Sequence, residues 1–209
     1  MLLIANETND SVRCQVSAVS WDEAPDGRML ITPTKDVLVF PQLLTLKAGE
    51  DRNVRVGTTI PFGTSEKTYR IVIQELPAEN HRLRLPTAGL QVLVRFTVPV
   101  FLAPAQASVH PQIENIAVSH GGLSFSLHNV GTMHARTEAI RATAKDAKGE
   151  PLFDQRWEGW YLLAGRSRDY AVKIPPAFCE KTAAVTVEAS TDGDVVKTTQ
   201  AIPAGACGP

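Results

Sequence analysis

The chain has 209 residues, 44% hydrophobic and 21% charged, with a formal net charge of −1. This length suits one large domain or two of about 100 residues. The composition excludes global disorder, and the charge leaves no overall field to draw nucleic acid or an anionic membrane surface. No apolar run approaches the roughly 18 residues of a membrane helix, so no membrane insertion is expected.

Read in chain order, the first half is a series of short strands separated by turn residues. At the start, Leu2-Leu3-Ile4-Ala5 follows Met1 with no basic region and no full apolar segment, so no signal peptide is visible and the start reads as incomplete. Residues 12–19 alternate. Residues 37–40 form a continuous apolar run ended by Pro41, and residues 43–46 lead into the turn Lys47-Ala48-Gly49-Glu50. Strands are expected at 53–56 and at 69–76, the latter stopped by Pro77. A polar, basic loop then carries His81, Arg82 and Arg84, and the longest expected strand follows over about 90–102.

The second half continues in the same style, with strands expected at 113–118, 123–128, 137–144, 168–174, 183–189 and 194–202. Asp192-Gly193 is a hairpin turn signal between the last two. No segment has the period and length of a substantial helix, and fourteen Gly and fourteen Pro punctuate the chain. The fold class is therefore all-β. The proline-containing stretch at 103–107 is the expected boundary between an N-terminal domain, 1–104, and a C-terminal domain, 105–209, each the size of an immunoglobulin-like sandwich.

One strand stands out. Leu90, Val92, Val94, Phe96, Val98 and Val100 share a face, because alternate side chains of a strand point to opposite sides. Two readings are open. The face is the domain's own core, or it belongs to an edge strand that pairs with another chain. Pro99 has no N–H for a ladder and favours an edge. A long apolar edge invites a partner strand.

Other features carry less. His81, His110, His120, His128 and His134 are scattered, so no metal site is expected. No nucleophile elbow or phosphate-binding loop occurs, and no catalytic residue and no cofactor are expected. Asn6-Glu7-Thr8 matches a glycosylation sequon by chance. Trp157, Trp160 and Tyr161 form an aromatic cluster, suited to packing or, alternatively, to a sugar-binding surface. Cys14 sits in an alternating strand as a core thiol. Cys179 and Cys207 are either a disulfide, which implies an oxidising compartment, or two free thiols.

The segments LLIANETNDSVRCQVSAVSWDE, ITPTKDVLVFPQLLTLKAGEDRNVRVG, TYRIVIQELP and LQVLVRFTVPVFLAPA occur in order across residues 1–105. Together they resemble the PapD-like periplasmic pilus chaperones of chaperone–usher systems, in the branch serving spore-coat-U-like or archaic pili. The second half is matched more loosely, through the turn His128-Asn129-Val130-Gly131 and the Cys179/Cys207 pair. The resemblance implies two immunoglobulin-like sandwiches in an L-shaped arrangement, with the family's first strand missing here. It implies a chaperone that binds a pilus subunit by donor-strand complementation and delivers it to an outer-membrane usher, without a cofactor. The donor residues would be Leu90, Val92, Val94, Phe96 and Val98. The free protein would cap the strand as a weak homodimer.

The sequence departs from the family pattern at the carboxylate anchor. Pro99 stands at the family's lysine, which leaves Arg70 and Arg95 as basic candidates, and Ala103 stands at a structural arginine. Glu75 matches the family's acidic residue, which implies an interdomain structural role. The alternative to this reading is an extracytoplasmic adhesion or scaffold protein of two sandwiches that lends no strand.

Overall fold

The computed structural model describes residues 1–77, 92–119, 121–192, 194–203 and 206. The chain divides into two compact units. The first comprises Met1–Asp22, Ile31–Phe62 and Lys67–Leu102; the second comprises Glu23–Leu30, Gly63–Glu66 and Ala103–Pro209. Two short excursions of the N-terminal half thus belong to the second unit, a membership that the strand pattern does not reveal.

The first unit is built on β1 (Leu2–Ala5), β2 (Val12–Glu23), β3 (Met29–Pro33), β4 (Val37–Phe40), β5 (Leu43–Leu46), β6 (Asp51–Thr58), β7 (Lys67–Leu76) and β8 (Arg95–Leu102). One sheet has the order β1-β6-β4; the other has the order β3-β2-β7-β8, with β5 also paired to β2. Alternation places the core. In β4, Val37 and Val39 are buried while Leu38 and Phe40 are exposed; in β5, Leu44 and Leu46 are buried while Leu43 and Thr45 are exposed. Val16, Val54, Tyr69, Ile71 and Ile73 complete the apolar centre.

The second unit contains β9 (Pro111–Ser119), β10 (Gly122–Asn129), β11 (Ala135–Lys145), β12 (Pro151–Glu158), β13 (Tyr161–Leu162), β14 (Ser167–Lys173), α1 (Pro176–Cys179), β15 (Ala184–Thr191) and β16 (Val195–Ala201). Its sheets run β14-β10-β9 and β12-β11-β15-β16, with β13 added on β11. In its core Phe125 stacks on Tyr170 at 5.1 Å between centroids, and Trp157 meets both rings edge-on. Trp160 instead pairs with Tyr161 and is exposed. The aromatic cluster therefore divides into a core ring and a surface pair.

The excursions are held by buried carboxylates. Arg168 Nη1 donates to Glu23 Oε1 at 3.2 Å, and Asp169 N donates to Pro25 O at 2.8 Å. Glu66 Oε2 accepts the His134 backbone N–H at 3.0 Å and lies 2.7 Å from His134 Nδ1. Both carboxylate side chains are all but inaccessible. A buried carboxylate without such partners would be strongly unfavourable.

Two buried asparagines pin turns. Asn6 donates to Asp10 O, Leu46 O and Lys47 O and accepts from Thr8, so the sequon's amide is committed inside the first unit. Asn129, in the His128–Gly131 turn, donates to Met133 O and Leu162 O and accepts from Gly131 N and His110 N. Cys14 is a buried free thiol, Cys179 is disulfide-bonded, and Cys207 lies outside the described residues, as does Gly193 of the expected hairpin turn.

Gly159 is required by a close approach. A Cβ there would stand 1.9 Å from Thr137 O, where β11 bulges between Thr137 and Ala139. Gly122, by contrast, has only ordinary contacts, the nearest at 3.4 Å. Gly159→Ala is expected to destabilise the second unit by about 3 kcal/mol, at the upper end of overpacking costs, and Gly122→Ala by under about 1 kcal/mol. Urea unfolding followed by tryptophan fluorescence measures both, and equal midpoint shifts would refute the close-approach account.

Candidate functional site: an apolar edge strand

Among the described residues β8 lies at the end of its sheet and pairs with β7 alone. The register sets Phe96 opposite Ile73, Val98 opposite Ile71 and Val100 opposite Tyr69. Because Tyr69, Ile71 and Ile73 face the core, Phe96, Val98 and Val100 take the core-facing side of β8. Pro99 stands opposite Arg70 on the other side, and as an edge residue it leaves no ladder bond unmade.

Burial divides this apolar side into two parts. Val98, Val100 and Leu102 are half-buried and pack against the unit's own core. Phe96 is 62% exposed, Val94 41% and Val92 70%. Parity alone groups Val98 with the exposed residues; the structure packs it against the core instead. Leu90 lies outside the described residues. Residues 92–94 precede β8 and carry no strand assignment, so the described strand begins at Arg95 rather than at 90.

Val94 remains tied to β7. Its carbonyl accepts Glu75 N–H at 2.9 Å, and its own N–H donates to Glu75 Oε2 at 3.1 Å. Glu75 itself is half-buried and lies opposite Cys14 of β2. Burial, and then the Glu75 carboxylate, push the Cys14 thiol above its ordinary range. Glu75 therefore sits at the start of the exposed arm.

The two basic candidates lie on the other side of the sheet. Arg70 is buried; its guanidinium carbon stands 4.4 Å from the Trp21 ring centroid, a cation–π arrangement, and Nη1 donates to Thr97 Oγ1 at 3.0 Å. Trp21 meets Phe101 edge-on at 6.2 Å. Arg95 is exposed and pairs across from Gln74. Two further apolar surfaces escaped the sequence reading: Leu3, Leu38 and Phe40 on the outer side of β1-β6-β4, and Met29, Leu30 and Ile31 on the fully exposed β3. In the continuous apolar run at 37–40 only alternate residues are buried, as in a strand covered on one face.

Among the described residues the histidines do not converge. His128 Nδ1 lies 3.3 Å from Glu114 and His134 is held by Glu66, while His81 and His120 lie outside the described residues.

With this geometry in hand, comparison with known proteins is specific. Residues 1–108 match the pili and flagellar-assembly chaperone family, PapD N-terminal domain. The chain belongs to this family. It is 30% identical over 159 residues to the probable fimbrial chaperone EcpE of Escherichia coli K12, a match covering 75% of this chain and 63% of that protein; the chain thus spans less than two thirds of that relative. Among solved structures it resembles the class 5 fimbriae chaperone CfaA, with a TM-score of 0.62 at 13% identity over 96% of this chain and 90% of the other. It also resembles the CsuC–CsuE chaperone–tip adhesion subunit pre-assembly complex from the archaic chaperone-usher Csu pili of Acinetobacter baumannii, with a TM-score of 0.57 at 14% identity over 81% of this chain and 80% of that one. At such identities these likenesses establish the fold, two β-sandwich units of the chaperone–usher chaperone type.

Exposure makes a direct prediction about stability. Val92→Asp and Phe96→Asp are each expected to shift unfolding by no more than about 1 kcal/mol, as surface changes do. Ile71→Asp buries an unpaired charge and is expected to unfold the first unit. Circular dichroism melts of the three variants check this; unfolding by Val92→Asp would show that the arm is core.

Proposed function

We propose that this protein is a periplasmic chaperone that binds a pilus subunit by lending it the exposed edge strand and delivers it to an outer-membrane usher. The observation that carries the reading is the edge that β8 presents among the described residues, with Phe96 on it and Val92 and Val94 just before it, all three apolar and exposed. β7 uses only one row of the backbone groups of β8; among the described residues the other row has no strand partner and suits an incoming strand. Alternate residues are about 6.6 Å apart along a strand, so the three side chains form a comb that fits a groove lacking one strand. Burying each contributes about 1.5–3 kcal/mol, and main-chain bonds fix direction. The step makes no covalent bond and calls for no nucleotide or other cofactor.

Family membership supports this reading, as does the likeness to chaperones solved with a tip adhesin subunit or with a pilin, such as SafB with SafA of Salmonella enterica. For a subunit's terminal carboxylate, Arg95 is the guanidinium open to a partner, while Arg70 braces the strand from behind through Thr97. Two free chaperones capping one another's open edges would form the weak homodimer.

The rival, a two-sandwich scaffold that lends no strand, draws on the packing of Val98, Val100 and Leu102 in the unit's own core. It requires the positions 92–96 to be indifferent to partner binding. Capture of the tagged protein from the periplasm of its host, with mass spectrometry, separates the two. The expected result is a small β-rich pilus subunit at about equal stoichiometry, lost when Val92 and Val94 are both changed to Asp. A partner retained by that variant would overturn strand lending.

A further inference from the structure

We infer that Glu75 is a positioning residue for the lent strand: its carboxylate takes the place of a ladder carbonyl for the Val94 N–H and so sets the register of the exposed arm. The inference rests on the strand-lending reading above.

The geometry is specific. In an antiparallel ladder, a closely spaced pair exchanges two N–H···O bonds between backbones. Continuing the register from Gln74 opposite Arg95 sets Glu75 opposite Val94. Only half of the expected exchange is made by backbone: Glu75 N donates to Val94 O at 2.9 Å. The return bond from Val94 N goes to Glu75 Oε2, at 3.1 Å, in place of the Glu75 carbonyl. The ladder therefore ends on a side chain. The Val94 N–H thus keeps an acceptor where the backbone ladder supplies none, and this carboxylate is engaged by no ion pair among the described residues.

Position gives the bond its consequence. Glu75 shares its side of β7 with Ile73 and Ile71, which stand opposite Phe96 and Val98, and its two bonds set Val94 across from it. A slip of one residue would turn Val92, Val94 and Phe96 to the opposite side and present Arg95 and Thr97 instead. Pinning Val94 at its first contact with β7 holds the apolar comb in the single register that a partner's groove can accept.

Glu75→Ala and Glu75→Gln test this in the full chain. Gln keeps an Oε1 acceptor and Ala has none. Native-state amide exchange of the Val94 N–H is expected to quicken about tenfold in Glu75→Ala, the equivalent of one hydrogen bond to a charged group, and to stay within about threefold of wild type in Glu75→Gln. Affinity for the subunit recovered in the capture experiment is expected to fall by about the same factor in the Ala variant and to be restored by Gln, with the thermal melt unchanged in both. Unaltered Val94 exchange in Glu75→Ala would refute the pin. Faster exchange with unaltered affinity, in a background where Val92→Asp still abolishes binding, would refute the positioning role. Affinity indifferent to Val92→Asp as well would refute the strand-lending reading itself, and the role with it.

Discussion

A strand at the end of its sheet governs the rest of this molecule. Among the described residues β8 has β7 as its one strand neighbour, so the backbone groups along its other side have no strand partner there. Such edges are ordinarily blunted by proline, charge or brevity. Here the blunting is placed selectively. Pro99 sits where the strand's inner half packs on the core, and Arg95 is the charge at the strand's start, on the side away from the apolar arm. The segment 92–96 keeps three exposed apolar residues on one side. The inner half meanwhile anchors the strand: Val98, Val100 and Leu102 stay with the first unit's own core whatever the outer half does. A strand divided in this way can engage a partner without giving up the packing of the domain that holds it.

The second organising feature is the use of buried carboxylates from the N-terminal half. Glu23 and Glu66 sit on excursions that belong to the second unit, and each is matched with a basic group there, Arg168 and His134. Removing the hydrogen-bonding partner of a buried carboxylate is costly because the group is left without solvation. These contacts tie 23–30 and 63–66 to the second unit, although Glu23, Met29 and Leu30 still lie in strands of the first unit's sheet. Gly27 fits the same picture: a Cβ there would press on the Arg168 guanidinium at 2.8 Å.

Much of this architecture is legible in the sequence, for a physical reason. Strands covered on one face alternate, and the segments that alternate or run apolar, such as those in β2, β4, β5, β7, β10, β11 and β15, were all located from pattern. The strands that escaped lack that signal. β3 is exposed along its whole length, β13 has two residues, β1 has four, and β12 mixes Asp154, Arg156 and Glu158 among its apolar residues. The bond between Glu75 and Val94 was also invisible, since a side chain that caps a ladder leaves no periodic trace. What spacing offered for Glu75 was a family position; its contact in the structure is with the backbone of the arm.

The choice between core and partner for the apolar side of 90–100 lies beyond parity in principle. A side chain that meets its own core and one that meets another protein's groove have the same alternation and the same chemistry. What separates them is burial. Val98, Val100 and Leu102 pack against the first unit's core, whereas Phe96, Val94 and Val92 are exposed. Each additional exposed apolar residue then raises both the gain from a partner strand and the hazard of self-association, which are one physical quantity seen from two sides. The register of the arm, held at Val94, decides whether that quantity is presented to a groove or turned away from it.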